Sequence, residues 1–224
     1  AAPPTLTAVP AATNFATVEN GRCVLAGKPY YFVGANFWQG MNLGVDGPAG
    51  DRARLVRELD RVHSLGLTNL RVMASSEGPN SEPYRMVPAL MTSPGEYDGS
   101  VLDGLDFLLA EMGKRGLRAV MVLNNFWQWS GGMAQYVSWR EKTPIPYPGD
   151  YETFINYSAK FYSYEECQDW FRDHIAMLVN RTNPYTGVKY RDDPAVFSWE
   201  LGNEPRRYPQ SWIDDTAAYI KSLD

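Results

Sequence analysis

The sequence predicts an α/β fold: a (β/α)8 barrel of which this chain supplies about the first four βα units. Three observations carry that prediction. From Tyr30 onward, short β-rich runs alternate with longer helical patterns, the sign of βα units around a parallel sheet. Four such units can be counted, half of the eight that close a barrel. An open half would leave its first and fourth strands as unpaired apolar edges, which closure removes. Residues 1–224 are therefore read as a single domain, the N-terminal half of a barrel. The other half is expected either as a missing C-terminal segment or as a second chain.

In chain order, the first strand is read at YYFVGAN, Tyr30 to Asn36. Its helix is expected at about 50–65, where Leu55, Leu59 and Val62 fall at helical spacing and Gly66 is a stop. NLRVMA, Asn69 to Ala74, is the second strand. Its helix, about 100–115, buries Leu102, Leu105, Leu108, Leu109 and Met112. RAVMVLN, Arg118 to Asn124, is the third strand, with a helix at about 164–180. Ala195 to Gly202 is the fourth, and Ser211-x-x-Asp214 reads as a capping box opening the last helix. Two long loops remain, about 75–99 and 127–163, and loops of that length in a compact domain are usually functional.

Composition narrows the partners. The chain has 224 residues, 44% of them hydrophobic, enough for a substantial core. A net charge of -5 with scattered acidic residues offers no footprint for a phosphate backbone, so nucleic acid is not expected. No apolar run approaches the roughly 20 residues of a bilayer span, so no membrane partner is expected. The opening AAPPTLTAVPAA has neither a basic start nor an apolar core. It reads as the mature end left after signal removal, and the expected location is secreted, extracellular. Two sequons, at Asn156 and Asn180, are compatible with this. Cys23 and Cys167 either pair or stay as thiols. With His63 and His174, both placed on outer helices, they show no metal spacing.

Chemistry concentrates at strand ends, where such barrels keep their reactive groups. Arg71, Asn124, Asn125, Asn203 and Glu204 bring five polar groups from three strands to one mouth. A carboxylate beside an amide and facing an arginine suits acid/base work on a polyhydroxylated substrate that needs a second carboxylate. The run NNFWQWSGGMAQYVSW adds aromatic faces that stack on sugar rings. From the residues alone, Glu204 also reads as a carboxylate capping a turn, and Arg71 as the partner of a core acid such as Asp106. Glu77 and Glu82, on the proline-rich second loop, are a rival carboxylate pair set aside because loops position poorly.

Three stretches carry a resemblance: GKPYYFVGANFW, the run from GEYDGS through NNFWQWSGGMAQYVSW, and NPYTGVKYRDDPAVFSWELGNEPR. Together they resemble the endo-β-1,4-mannanases of glycoside hydrolase family five, retaining barrel glycosidases that degrade hemicellulose polysaccharide. The resemblance implies Glu204 as general acid/base, Asn203 as holder of the sugar 2-hydroxyl and Arg71 as the group orienting the nucleophile. It implies Trp38, Asn125 and Trp127 in the glycone-side wall and Arg206 on the leaving-group side. The nucleophile, a strand-seven glutamate, is expected outside this chain. The implied substrates are mannan, glucomannan and galactomannan, with no cofactor or metal. A β-1,4-glucanase of the same family and a non-catalytic glycan-binding barrel are the alternatives. Gly202 stands where family members carry bulkier residues.

Overall fold

The computed structural model describes residues 14–147 and 149–224; the AAPPTLTAVPAA segment lies outside the described residues. The chain opens with a small antiparallel sheet that the sequence reading did not anticipate: β1 (Ala16–Glu19), β2 (Arg22–Leu25) and β3 (Lys28–Pro29). Asn20 and Gly21 both have positive φ, 51° and 74°, and close the β1–β2 hairpin as an Asn-Gly pair does in turns matched to strand twist.

The main sheet has four parallel strands in the order β4 (Gly34–Asn36), β5 (Asn69–Met73), β8 (Arg118–Val122) and β9 (Val196–Glu200). After β4 come the short α1 (Gly40–Leu43) and then α2 (Arg52–Ser64), whose Arg54 amide is capped by the Asp51 side chain. After β5, the loop carries a two-stranded ribbon, β6 (Met91–Ser93) and β7 (Glu96–Tyr97), and leads to α3 (Gly99–Lys114) under an Asp98 cap. After β8 come α4 (Gly132–Glu141), α5 (Tyr151–Ala159) and α6 (Glu165–Asn180), so most of the stretch read as loop at 127–163 is helical. α7 (Gln210–Leu223) follows β9. It starts behind Pro209 without a side-chain cap, one residue before the expected Ser211 box, because proline presets the entry turn.

Helices cover one face of this sheet. Leu55 and Leu59 of α2 and the predicted leucines of α3 are buried against it, and β5 and β8 are enclosed. The other face is concave. A flat sheet would hold β4 and β9 about 14 Å apart, yet the rings of Phe32 and Phe197 meet at 5.2 Å and Tyr30 joins them at 6.0 Å. The β8–β9 ladder slips between Val196 and Ser198, which leaves Phe197 as the extra residue and turns its ring inward. The curl is that of a barrel wall. Among the described residues β4 and β9 are each paired on one side only, β4 exposed and β9 half-buried.

Candidate active site

Register brings the polar groups together. Asn36 stands opposite Arg71, Arg71 opposite Val120 and Val120 opposite Ser198, so these four form one row across the concave face. Glu200 lies two residues beyond Ser198 on that face, one row nearer the mouth. Its carboxylate takes Arg71 in a two-pronged pair: Nε donates to Oε2 at 2.7 Å, and Nη2 donates to Oε1. Arg71 Nη2 also donates to Asn203 Oδ1 at 3.0 Å, and Nη1 reaches Asn36 Oδ1 only at 3.4 Å. The hydrogen bonds to Glu200 raise the guanidinium above its ordinary value against the opposing effect of burial, and the charges of Glu200 and Glu204 add to it. Arg71 is thus no partner of Asp106. That core acid is held by Arg181 and Tyr190.

Asn203 and Glu204 follow β9 on a turn fixed from both sides. The Asn203 amide donates to the Asn124 carbonyl at 2.9 Å, and the Phe126 amide donates to the Asn203 carbonyl at 3.0 Å. Glu204 takes a φ of 49°, left-handed backbone that is uncommon outside glycine and that, when kept, clusters at functional sites. Its Oε2 accepts a hydrogen bond from Trp127 Nε1 at 2.6 Å. Trp127 is itself clamped by parallel stacking on Phe154, 5.7 Å between centroids and 11° between planes. The Arg206 guanidinium lies 5.6 Å over the Trp127 ring.

These groups open on a cavity of about 250 Å³. Asn36, Trp38, Arg71, Trp127, Trp129 and Glu204 are among its lining. Trp38 meets Trp129 edge-on at 5.7 Å, and those two rings continue into an apolar cavity of about 370 Å³ floored by Tyr84, Arg85 and Met86. Chemically, the mouth offers one exposed carboxyl oriented by an indole N–H, an amide beside it, an arginine held by a second carboxylate, and aromatic walls.

Asn125 does not face this cavity, contrary to the expectation that placed it in the sugar wall. It is fully buried. Its Oδ1 accepts from the Asn203 side chain at 3.0 Å and from the Trp127 amide at 3.1 Å, and its Nδ2 donates to Ser130 Oγ at 3.0 Å. It stands behind Asn203 and aims it. Asn124 is likewise buried, its Oδ1 taking the Asn125 amide, and is not part of the mouth. Glu77 is buried as well, and so is no exposed partner carboxylate for Glu204. Cys23 and Cys167 are both free thiols, and burial pushes Cys167 up to about 12. Sequence reasoning missed Glu200 and Asn36. Period-two counting from Ser198 and the pairing of β4 with β5 would have found them.

The family described as GH family 5 β-mannosidase-like matches residues 13–224. This chain belongs to glycoside hydrolase family 5. Among curated relatives, mannan endo-1,4-β-mannosidase 1 of Oryza sativa subsp. japonica is 35% identical over 94% of this chain and 47% of its own length. Mannan endo-1,4-β-mannosidase 5 of Solanum lycopersicum is 33% identical, over 94% and 49%. The chain spans about half the length of the curated relatives it matches. Among solved structures, the family 5 mannosidase of Rhizomucor miehei superimposes with a TM-score of 0.90 at 43% identity, covering 95% of this chain and 54% of that one. A glutamate-to-alanine mutant of that mannosidase, solved with mannosyl-fructose, gives 0.89 at 42%, over 96% and 54%. The fold is accordingly that of the family 5 barrel, of which these four βα units are one half.

Proposed function

We propose that the full-length protein is a retaining endo-β-1,4-mannanase cutting internal bonds of mannan, glucomannan and galactomannan. The observation that carries the reading is Glu204: an exposed carboxyl at a β9 strand end, on left-handed backbone, oriented by the Trp127 indole at 2.6 Å and adjoining Asn203 and the tryptophan-walled cavity. The curated relatives' names support mannan as the substrate class.

In this reading Glu204 protonates the departing glycosidic oxygen and then, as base, activates water. Asn203 holds the sugar 2-hydroxyl. Arg71, already held by Glu200, presents its remaining donor to the nucleophile. Trp38 and Trp127 bear on the glycone side, and Arg206 on the leaving group. The nucleophile is a glutamate of the other four strands, about 5 to 5.5 Å from Glu204 as retention requires. Those strands come from a further segment of the polypeptide or from a second chain, a reading supported by the one-sided pairing of β4 and β9 and by relatives about twice as long. Secretion belongs to the same proposal, and the two sequons at Asn156 and Asn180 are compatible with it.

Replacing Glu204 by Ala in the full-length enzyme tests the assignment. An aglycone that leaves unaided needs no proton, so kcat/KM should fall ~10²-fold to 10⁴-fold on mannan and far less on an activated aryl mannoside. Added azide should speed turnover of the aryl substrate and yield a mannosyl azide of retained β-configuration. Equal losses on both substrates without an azide effect would reassign Glu204. The 43% identity to a protein called a mannosidase favours a second reading, attack at chain ends. It predicts release of mannose from mannan without the early fall in viscosity that internal cleavage causes.

A further inference from the structure

The SEGP segment after β5 holds a carboxyl that the reaction above does not use. Glu77 is only 2% exposed. Its Oε2 accepts from the Gly132 amide at 2.6 Å, its own amide donates to the Ser130 carbonyl at 2.7 Å, and its carbonyl accepts from Arg85 Nη1 at 2.7 Å. Side chain and backbone of one residue thus close on the turn that runs from Ser130 into α4.

That turn is shaped for the contact. Gly131 and Gly132 have φ of 92° and 61°, and a Cβ on Gly131 would fall 2.3 Å from the Glu77 carbonyl oxygen. What hangs on the turn is the site. Ser130 Oγ receives Asn125 Nδ2, Asn125 receives Asn203 and the Trp127 amide, and the Trp127 indole donates to Glu204. Every link is within 3.1 Å.

We propose that Glu77 is a positioning residue for the acid/base, setting through the Ser130–Gly132 turn the indole and amide that aim Glu204 and Asn203. The inference rests on the reading of Glu204 given above. Burial pushes the Glu77 carboxyl up to about 8, with the Gly132 amide and Arg85 opposing. It is a neutral acid at neutral pH, so its role is that of a hydrogen-bond acceptor rather than a charge. Oε1 has no hydrogen-bond partner among the described residues, nor has the buried hydroxyl of Tyr136 nearby.

A group acting through Glu204 must fail selectively where the proton is needed. In the full-length enzyme, Glu77→Ala should lower kcat/KM on mannan about tenfold or more, in line with the cost of small misplacements. It should change kcat/KM on an activated aryl mannoside, whose leaving group needs no proton, by less than about twofold. Glu77→Gln, which keeps a neutral acceptor for the Gly132 amide, should recover most of the loss. Should Glu77→Ala not fold, Ser130→Ala breaks the same chain at its next link and should show the same selectivity. Equal losses on the two substrates, or no loss, overturn the inference while Glu204→Ala, assayed alongside, still shows its own selectivity. If Glu204→Ala shows none, the reading of the site falls and this inference with it.

Discussion

Two arginine–carboxylate pairs span the molecule and do opposite things. On α3, facing the 181–190 segment that follows α6, Asp106 is fully buried. It receives Arg181 Nε and Nη2 at 2.9 and 2.5 Å and the Tyr190 hydroxyl at 2.6 Å, while its carbonyl takes Asn183 at 2.9 Å. At the mouth, Arg71 and Glu200 are each about one-third exposed, 32% and 32%. There Arg71 Nη1 finds only a 3.4 Å contact with Asn36. Both Asp106 oxygens are hydrogen-bonded and enclosed, although the Arg181 side chain stays 24% exposed, which is how a scaffold charge is tolerated. The open pair keeps an unspent donor at a cavity. Enclosure of the carboxylate, rather than the mere presence of a charge pair, separates scaffold from site.

Breaking the buried member should have the largest effect. Asp106→Ala strands Arg181 and the Tyr190 hydroxyl and should cost about 3–5 kcal/mol in urea unfolding, leaving kcat per folded molecule within about twofold. A loss under about 1 kcal/mol would mean that the network is dispensable and the contrast false.

The open member should answer in catalysis instead. Arg71→Lys keeps the charge but loses the planar fork that holds Glu200 and Asn203 together. An approximately 10²-fold drop in kcat, about 2.7 kcal/mol, is expected, with stability little changed. Wild-type kcat within about twofold would return Arg71 to the scaffold and make the two pairs equivalent.

The contrast also explains what the sequence let one read. α2 and α3 carry an apolar stripe toward the sheet, so periodicity found them; α4 is buried from Gly132 to Val137 on every side and has no stripe to find. The first strand was overdrawn. Tyr30 and Phe32 are β-like and apolar because they pack across the concave floor on Phe197, not because they join the ladder. That Arg71, Asn203 and Glu204 meet at one cavity was legible because ends of neighbouring parallel strands converge. Asn125 was placed on the right turn but on the wrong side of it, since one residue of displacement separates facing the cavity from backing Asn203. Glu77, on a proline-rich loop, read as poorly positioned. Its burial depends on a turn 53 residues further on, measured from Glu77 to Ser130, and no local pattern records that.

The last test sharpens the contrast without touching either pair. His174 is buried with both ring nitrogens partnered: Nε2 lies 3.1 Å from the Ala74 carbonyl and Nδ1 3.3 Å from the Tyr97 hydroxyl. A carbonyl can only accept, so Nε2 carries the proton and Nδ1 accepts from Tyr97. That is a saturated neutral ring. Burial lowers it from 6.5 to about 4, against the opposing pull of the Ala74 bond. The unfolded chain therefore binds a proton that the folded chain refuses between those values. The stability that His174 contributes is complete above about pH 6.5 and is lost as pH falls through 4. Glu77 works in the other sense: lifted to about 8 from 4.5, it lets stability decline as pH rises through that interval, so the two oppose each other over part of the range. The difference between wild type and His174→Gln isolates the histidine. Its slope should approach, and not exceed, about 1.4 kcal/mol per pH unit between pH 4 and 6.5 and vanish above pH 7. kcat per folded molecule should stay unchanged in the variant, as for Asp106→Ala. Parallel curves across that window would mean that the native ring is charged, and a buried group could then be enclosed without being saturated as described.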